Sequence, residues 1–262
     1  MNCKQNTYLN ALRVILCHVN GRRPDNIIID FEKSVENIFR NLIPTANIHG
    51  CFFHFSQAIW RKAQHLGLER RYVADEDYRT FIKMFTALSF CPTADVAQHF
   101  NSLSLYFINS AGNDQAHLEF IDYFESTWIG RPTRRPMFQH EMWNNREITI
   151  QHLTRTTNSV ESWHHQIQAK FLSPHPNIFA FIGGIREEIV RVNAISVKLD
   201  CGQEPPLYSR AEYRQANERL LTPIGRYHQM DTENFLQATS KFVKFRGVDP
   251  VRQQNEEPIE DD

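Results

Sequence analysis

Long apolar runs are missing from this sequence of 262 residues. A membrane-spanning helix needs roughly 20 predominantly apolar residues in succession, and no stretch comes near that. The start, Met1-Asn2-Cys3-Lys4-Gln5, also lacks the apolar core of a secretory signal, so a soluble protein of the cytosol or nucleus is expected. Cysteine is scarce: five residues, Cys3, Cys17, Cys51, Cys91 and Cys201, odd in number and scattered, do not make a secreted disulfide framework. Excess charge of either sign is lacking, with 29 Lys and Arg against 30 Asp and Glu and a net charge of −1. There is thus no global basic field for nucleic acid, although local clusters stand at Arg22-Arg23, Arg61-Lys62, Arg70-Arg71 and Arg131 to Arg135. Glycine-rich phosphate and dinucleotide loops are absent, the pair Gly183-Gly184 lying inside a helical pattern.

What is present begins with Ile27-Ile28-Ile29-Asp30-Phe31-Glu32. A continuous β-branched run of this kind suits a strand buried on both faces of a parallel sheet. Such strands present ligands at their carboxyl ends, which would set Asp30 on the rim of the sheet. The competing reading makes Asp30 the N-cap of the helix that follows.

Around this strand the periodicity predicts a helix over Asn6 to Leu16, a break at Gly21-Arg22-Arg23-Pro24, and a helix over Lys33 to Leu42 with Val35, Ile38, Phe39 and Leu42 on one face. A second strand is expected across Asn47 to Phe55, then a helix over Ser56 to Leu66 with Ser56 as N-cap and Gly67 as its stop. From Asp75 to about Trp128 the pattern is helical only, and its aromatic stripes read as core. Ser159 to Phe171 reads as a helix carrying Glu161, Pro174 and Pro176 interrupt, and Ile178 to Leu199 reads as a long helix. Tyr208 to Phe245 is weakly patterned.

Two groups could carry chemistry. Asp30 and Glu161 could together hold Mg²⁺ or Mn²⁺ through hard oxygen ligands, as phosphodiester-cutting enzymes do with two ions about 4 Å apart. Cys51-Phe52-Phe53-His54 is a C-x-x-H pair that could give two zinc ligands, with His164 and His165 as further candidates. Its alternative is a buried Cys and a hydrogen-bonded His inside the second strand. A thiol-protease reading would need Cys51 near a free His and an orienting acid, and nothing local supports it.

Four stretches in order resemble the Mutator-like element (MULE) transposase domain: Ile29-Asp30-Phe31-Glu32; Gly50-Cys51-Phe52-Phe53-His54-Phe55-Ser56-Gln57-Ala58; Ala87-Leu88-Ser89-Phe90-Cys91-Pro92; and Arg155-Thr156-Thr157-Asn158-Ser159-Val160-Glu161-Ser162-Trp163-His164. Asn6-Thr7-Tyr8 and Tyr123-Phe124-Glu125-Ser126-Thr127-Trp128-Ile129-Gly130 are similar too, so the resemblance spans roughly residues 6 to 195.

The resemblance implies an RNase H-like α/β fold with an all-helical insertion before the last catalytic helix, and an Asp, Asp, Glu triad that uses Mg²⁺ or Mn²⁺ to cut and join DNA. Asp30 resembles the second acid and Glu161 the third, while Cys51 and His54 match the family's C-x-x-H signature. The expected organisation is a partial RNase H-like core over 1–72, the insertion over 73–150, the core's C-terminal helices over 151–200, an extension over 201–248 and an acidic disordered tail over 249–262. The family's first acid and first three strands have no counterpart here, so the expectation is a transposase-derived fragment inactive in strand cleavage by itself. Self-association or a second chain could supply the missing strands. Implied partners are transposon-end DNA, with Arg131, Arg134, Arg135 and Arg155 as candidate phosphate contacts, and the implied compartment is the nucleus. A domesticated DNA- or protein-binding module without catalysis is the alternative. No FLYWCH-type zinc finger is visible.

Overall fold

Three consecutive isoleucines build the sheet. β1 (Asn26–Ile29) and β2 (Asn47–Gly50) run parallel with Ile27 beside Ile48, Ile28 beside His49 and Ile29 beside Gly50. Burial alternates along both strands. Ile27, Ile29, Ile48 and Gly50 are buried, whereas Ile28 and His49 are half-buried and Asn26 and Asn47 exposed. The expected enclosure on both faces is thus corrected to one sealed face. On the other face His49 Nε2 meets Asn26 Oδ1 at 3.2 Å.

A computed structural model describes residues 3–19, 22–171, 175–203 and 211–249. Gly21, Pro174, Tyr208 and the tail from residue 250 onward lie outside the described residues. The chain is mostly helical, and its described strands form a single two-stranded parallel sheet. It divides into two units, Met1–Arg155 with Arg219–Asp262, and Thr156–Glu218.

In the first unit, α1 (Cys3–His18) runs past both bounds expected for it, and α2 (Lys33–Leu42) keeps the bounds its periodicity predicts. The second strand is shorter than expected, ending at Gly50, and α3 (Phe52–His65) takes over the remainder. The Phe52 N–H donates to Arg155 O at 2.8 Å rather than extending a ladder. From there Phe55, Ile59 and Ala63 recur on one fully buried face, a helical spacing that overrides the strand reading of the phenylalanines. Ser56 is interior to α3, its hydroxyl donating to Phe52 O at 2.9 Å, so it is not the N-cap. Gly67 follows the helix at φ +74°, as a stop should.

Helices α4 (Glu69–Ala74), α5 (Glu76–Ala87), α6 (Val96–Ala111) and α7 (Gln115–Phe124) form the aromatic core. The carboxylates of Asp75 and Asp114 cap α5 and α7 by accepting from Tyr78 N and His117 N, each at 3.0 Å. Phe85 lies within 5.5 Å of the ring centres of Phe107, Phe120 and Phe124. Burying a side chain of this size contributes about 1.5–3 kcal/mol. A π-helical turn, Glu125–Ile129, leads to α8 (His140–Trp143) and α9 (Arg146–Ile150).

The second unit holds α10 (Asn158–Lys170) and α11 (Ile178–Asp200). Phe171 stacks on Phe181, and Gly184 leaves room for the Phe171 ring, which a Cβ there would meet at 2.5 Å. Its polar centre is Glu188, which accepts from Trp163 Nε1 and Lys170 Nζ, both at 2.8 Å, and from Arg191. α12 (Ala211–Gly225) spans the division, and α13 (Thr232–Ser240) belongs to the first unit. There the weakly patterned segment delivers Leu220, Ile224, Phe235, Leu236, Val243 and Phe245 to the core. Asp249 is also fixed, accepting from Tyr72 Oη and Phe245 N at 2.7 Å each and pairing with Lys83 at 3.0 Å.

Candidate metal centre

The register of the two strands decides what meets Asp30. Because Ile29 stands beside Gly50, the next residues after the two strands, Asp30 and Cys51, are neighbours at the carboxyl end of the sheet. The Cys51 N–H carries the ladder one step further, donating to Ile29 O at 2.8 Å. Cys51 is then the N-cap of α3, and one helical turn brings His54 back over the same edge. Asp30, Cys51 and His54 each offer an atom to one small volume, all within 4.8 Å of one another.

The three differ in setting. Cys51 is fully buried, the Asp30 side chain is 60% exposed and that of His54 is 34% exposed. His54 Nδ1 approaches Asp30 Oδ1 at 2.9 Å. That approach is not aligned as a hydrogen bond, and Nδ1, screened from solvent, has no hydrogen-bond partner. Asp30 does not cap α2: Glu32 holds the N-cap position, and its carboxylate accepts from Ser34 Oγ at 2.6 Å rather than from a backbone N–H of the helix. The expectation that Cys51 and His54 lie inside a strand is likewise corrected to a helix N-terminus.

Phe31 seats the rim. Its ring lies edge-on to Trp128 and Phe138, both at 5.0 Å, and 6.2 Å from Phe55. No side chain at position 50 would fit beneath it, since a Cβ on Gly50 would come within 2.3 Å of Phe31 Cζ.

Behind α3 the Phe90-Cys91 turn is held through its backbone. Asn144 Nδ2 donates to Cys91 O at 2.8 Å, Arg146 Nη1 to Phe90 O at 3.2 Å, and Asn145 N to Ser89 O at 2.6 Å. Beside it, Tyr227 donates to Asp95 at 2.7 Å and bonds His99, whose Nδ1 meets Thr232 Oγ1 at 2.7 Å. Burial pushes the Tyr227 hydroxyl well up and the His99 imidazole down. Sequence reasoning missed this scaffold, because no spacing rule links such distant polar residues.

The other sequence candidates are placed as follows. Glu161 is on the first turn of α10 in the second unit, half-buried, with His164 and His165 exposed on the same helix. Arg131 is bound to Asp122 and, at 2.8 Å, to Glu125. Arg134 and Arg135 are exposed. The Arg155 guanidinium lies over the adjoining rings of Phe52 and Phe90, 5.5 Å from each, and burial pulls its pKa down to about 10.

As a donor set, one carboxylate, one thiol and one imidazole do not match magnesium, which takes six oxygens. Sulfur and nitrogen beside a single oxygen suit a borderline-soft ion such as zinc. No family model, curated protein or solved structure matches the chain.

Proposed function

We propose that the chain is an RNase H-like catalytic domain of the Mutator-like transposase type, a nuclear protein that engages DNA and, by itself, does not cleave it. The observation that carries this reading is the position of Asp30: an acid at the carboxyl end of a parallel strand, level with the C-x-x-H pair that follows the neighbouring strand. In open α/β sheets that edge is where ligands bind. The order of the four motifs along the chain supports it further, as does the helical stretch between the strands and Glu161.

In this reading Asp30 and Glu161 are two of three acids. Mg²⁺ or Mn²⁺, when bound, would stabilise charge on the attacking and leaving oxygens of a phosphodiester. Asp30 would offer its carboxylate from the strand end, and Glu161 is the helix-borne acid that the resemblance assigns to the same chemistry. Among the described residues, the side chains that gather at Asp30 are those of Cys51 and His54.

The test is Mn²⁺ binding by electron paramagnetic resonance on the full chain, with an oligonucleotide retention and nicking assay alongside. Weak Mn²⁺ binding that falls in both Asp30→Ala and Glu161→Ala, with salt-sensitive DNA retention and no nicking, is the expected result. Mn²⁺ binding indifferent to both substitutions, or no retention at low salt, would overturn it.

A further inference from the structure

We infer that Asp30, Cys51 and His54 form a binding site for a borderline-soft divalent cation, zinc foremost, with one coordination position left open to solvent. The inference uses no residue of the second unit and does not rest on the transposase reading.

Zinc bonds of about 2.0–2.3 Å in a tetrahedron place neighbouring ligand atoms about 3.3–3.8 Å apart. The three atoms here lie within 4.8 Å of one another, with His54 Nδ1 and Asp30 Oδ1 at 2.9 Å. An entering ion would part that close pair slightly and draw the thiol inward, movements of about an ångström that side-chain torsions supply. The backbone is already set by the Cys51 N–H to Ile29 O bond and by the start of α3.

The state of His54 adds to this. Its Nδ1 is shielded from water and forms no aligned hydrogen bond, with only the off-angle Asp30 oxygen beside it, and buried polar atoms left so are costly and rare. Here that nitrogen faces a carboxylate and a buried sulfur. A cation between them would satisfy it.

Charge and access agree. Carboxylate and thiolate together balance a divalent ion, and the neutral imidazole adds no charge, so the loaded site is neutral. The thiol gives up its proton to solvent as the sulfur coordinates. Cys51 is inaccessible from outside, yet Asp30 is 60% exposed and offers the entry path. Three protein ligands with an open position are the arrangement of zinc sites that bind water or substrate, whereas purely structural sites close with four.

Cobalt(II) titration of the full chain, in reducing and chelator-free buffer, tests the site. Cobalt should give tetrahedral visible bands and a near-ultraviolet thiolate-to-metal charge-transfer band, both erased by zinc. Cys51→Ser should remove the charge-transfer band. His54→Ala and Asp30→Asn should each weaken affinity by more than the roughly tenfold that loss of an outer-shell partner costs. Circular dichroism controls for folding, and half-exposed His54 provides a variant that does not disturb the core should the serine at position 51 fail to fold. Absence of a charge-transfer band, or one that persists in Cys51→Ser or is unaffected by His54→Ala, would overturn the site. Failure here with Glu161-dependent Mn²⁺ binding intact would leave the functional reading standing, and the converse result would separate them the other way.

Discussion

The Phe31 ring fills the space in which a side chain on Gly50 would stand, with Phe31 Cζ 2.3 Å from the position of a Cβ there. The ring has little room to yield, being walled by Trp128 and Phe138. Gly50→Ala should therefore cost about 1–3 kcal/mol, the range for overfilling a packed site. It should also weaken cobalt binding, because Phe31 is bonded directly to Asp30. Urea unfolding of Gly50→Ala, Phe31→Leu and the double variant checks this: the smaller side chain should recover part of the loss, and additive costs would refute the contact.

Asp249 ties the end of the described chain to α4 and α5. Its side chain is 6% exposed and meets Tyr72, Lys83 and the Phe245 N–H. Burial, with the Asp249 carboxylate beside it, drives the Tyr72 hydroxyl far above its ordinary pKa. Asp249→Ala leaves the half-buried Lys83 ammonium and the buried Tyr72 hydroxyl without their partner, and a loss of about 3 kcal/mol is expected. Asp249→Asn, which can still accept from Tyr72, should lose less. Equal losses in chemical denaturation would contradict a contribution from the Tyr72 hydrogen bond.

Glu188 makes the second unit sensitive to acid. Bonds from Arg191, Lys170 and Trp163 outweigh burial and hold its pKa far below the ordinary 4.5. A carboxyl lowered on folding adds stability that is complete above the unfolded value and is surrendered as pH falls through the folded one. Loss should thus begin below about pH 4.5, and Glu188→Gln should be less stable at pH 7 with a flatter acid limb. Trp163, which donates to this carboxylate at 2.8 Å, reports the change locally through the fluorescence lost in Trp163→Phe. An unchanged pH profile in Glu188→Gln would refute it.

The candidate phosphate contacts should separate by their surroundings. Arg131 is already matched by Asp122 and Glu125, and Arg155 is packed over two adjoining rings. Arg134→Ala with Arg135→Ala should lower the salt slope of DNA retention by about two, near 0.9 for each phosphate contact, without changing stability. Arg155→Lys should instead cost about 1 kcal/mol through its lost ring stacking. A salt slope unmoved by the double substitution would exclude that loop.

Legibility followed the range of the forces. α2 was readable to the residue, since Val35, Ile38, Phe39 and Leu42 repeat at the helical period within ten residues. The end of β2 was not, because Phe52, Phe53 and Phe55 satisfy strand and helix alike over so short a span. The C-x-x-H pair was visible as a pair. That Asp30 completes it depends on a parallel register between residues far apart, which no local spacing reveals. The core role of Phe235 and Phe245 was hidden for the same reason: Phe245 stacks on Trp60, 5.3 Å away in space but remote in sequence.

Each strand of the sheet is four residues long, too short a ladder to hold its own end rigid. The stiffness of the Asp30 rim is therefore borrowed from the rings of Phe31, Phe55, Trp128 and Phe138. Tuning this edge is then a matter of ring shape at a distance: trimming Trp128 or Phe138 should shift the acid's resting position and loosen its grip on an ion, while leaving every coordinating atom chemically untouched.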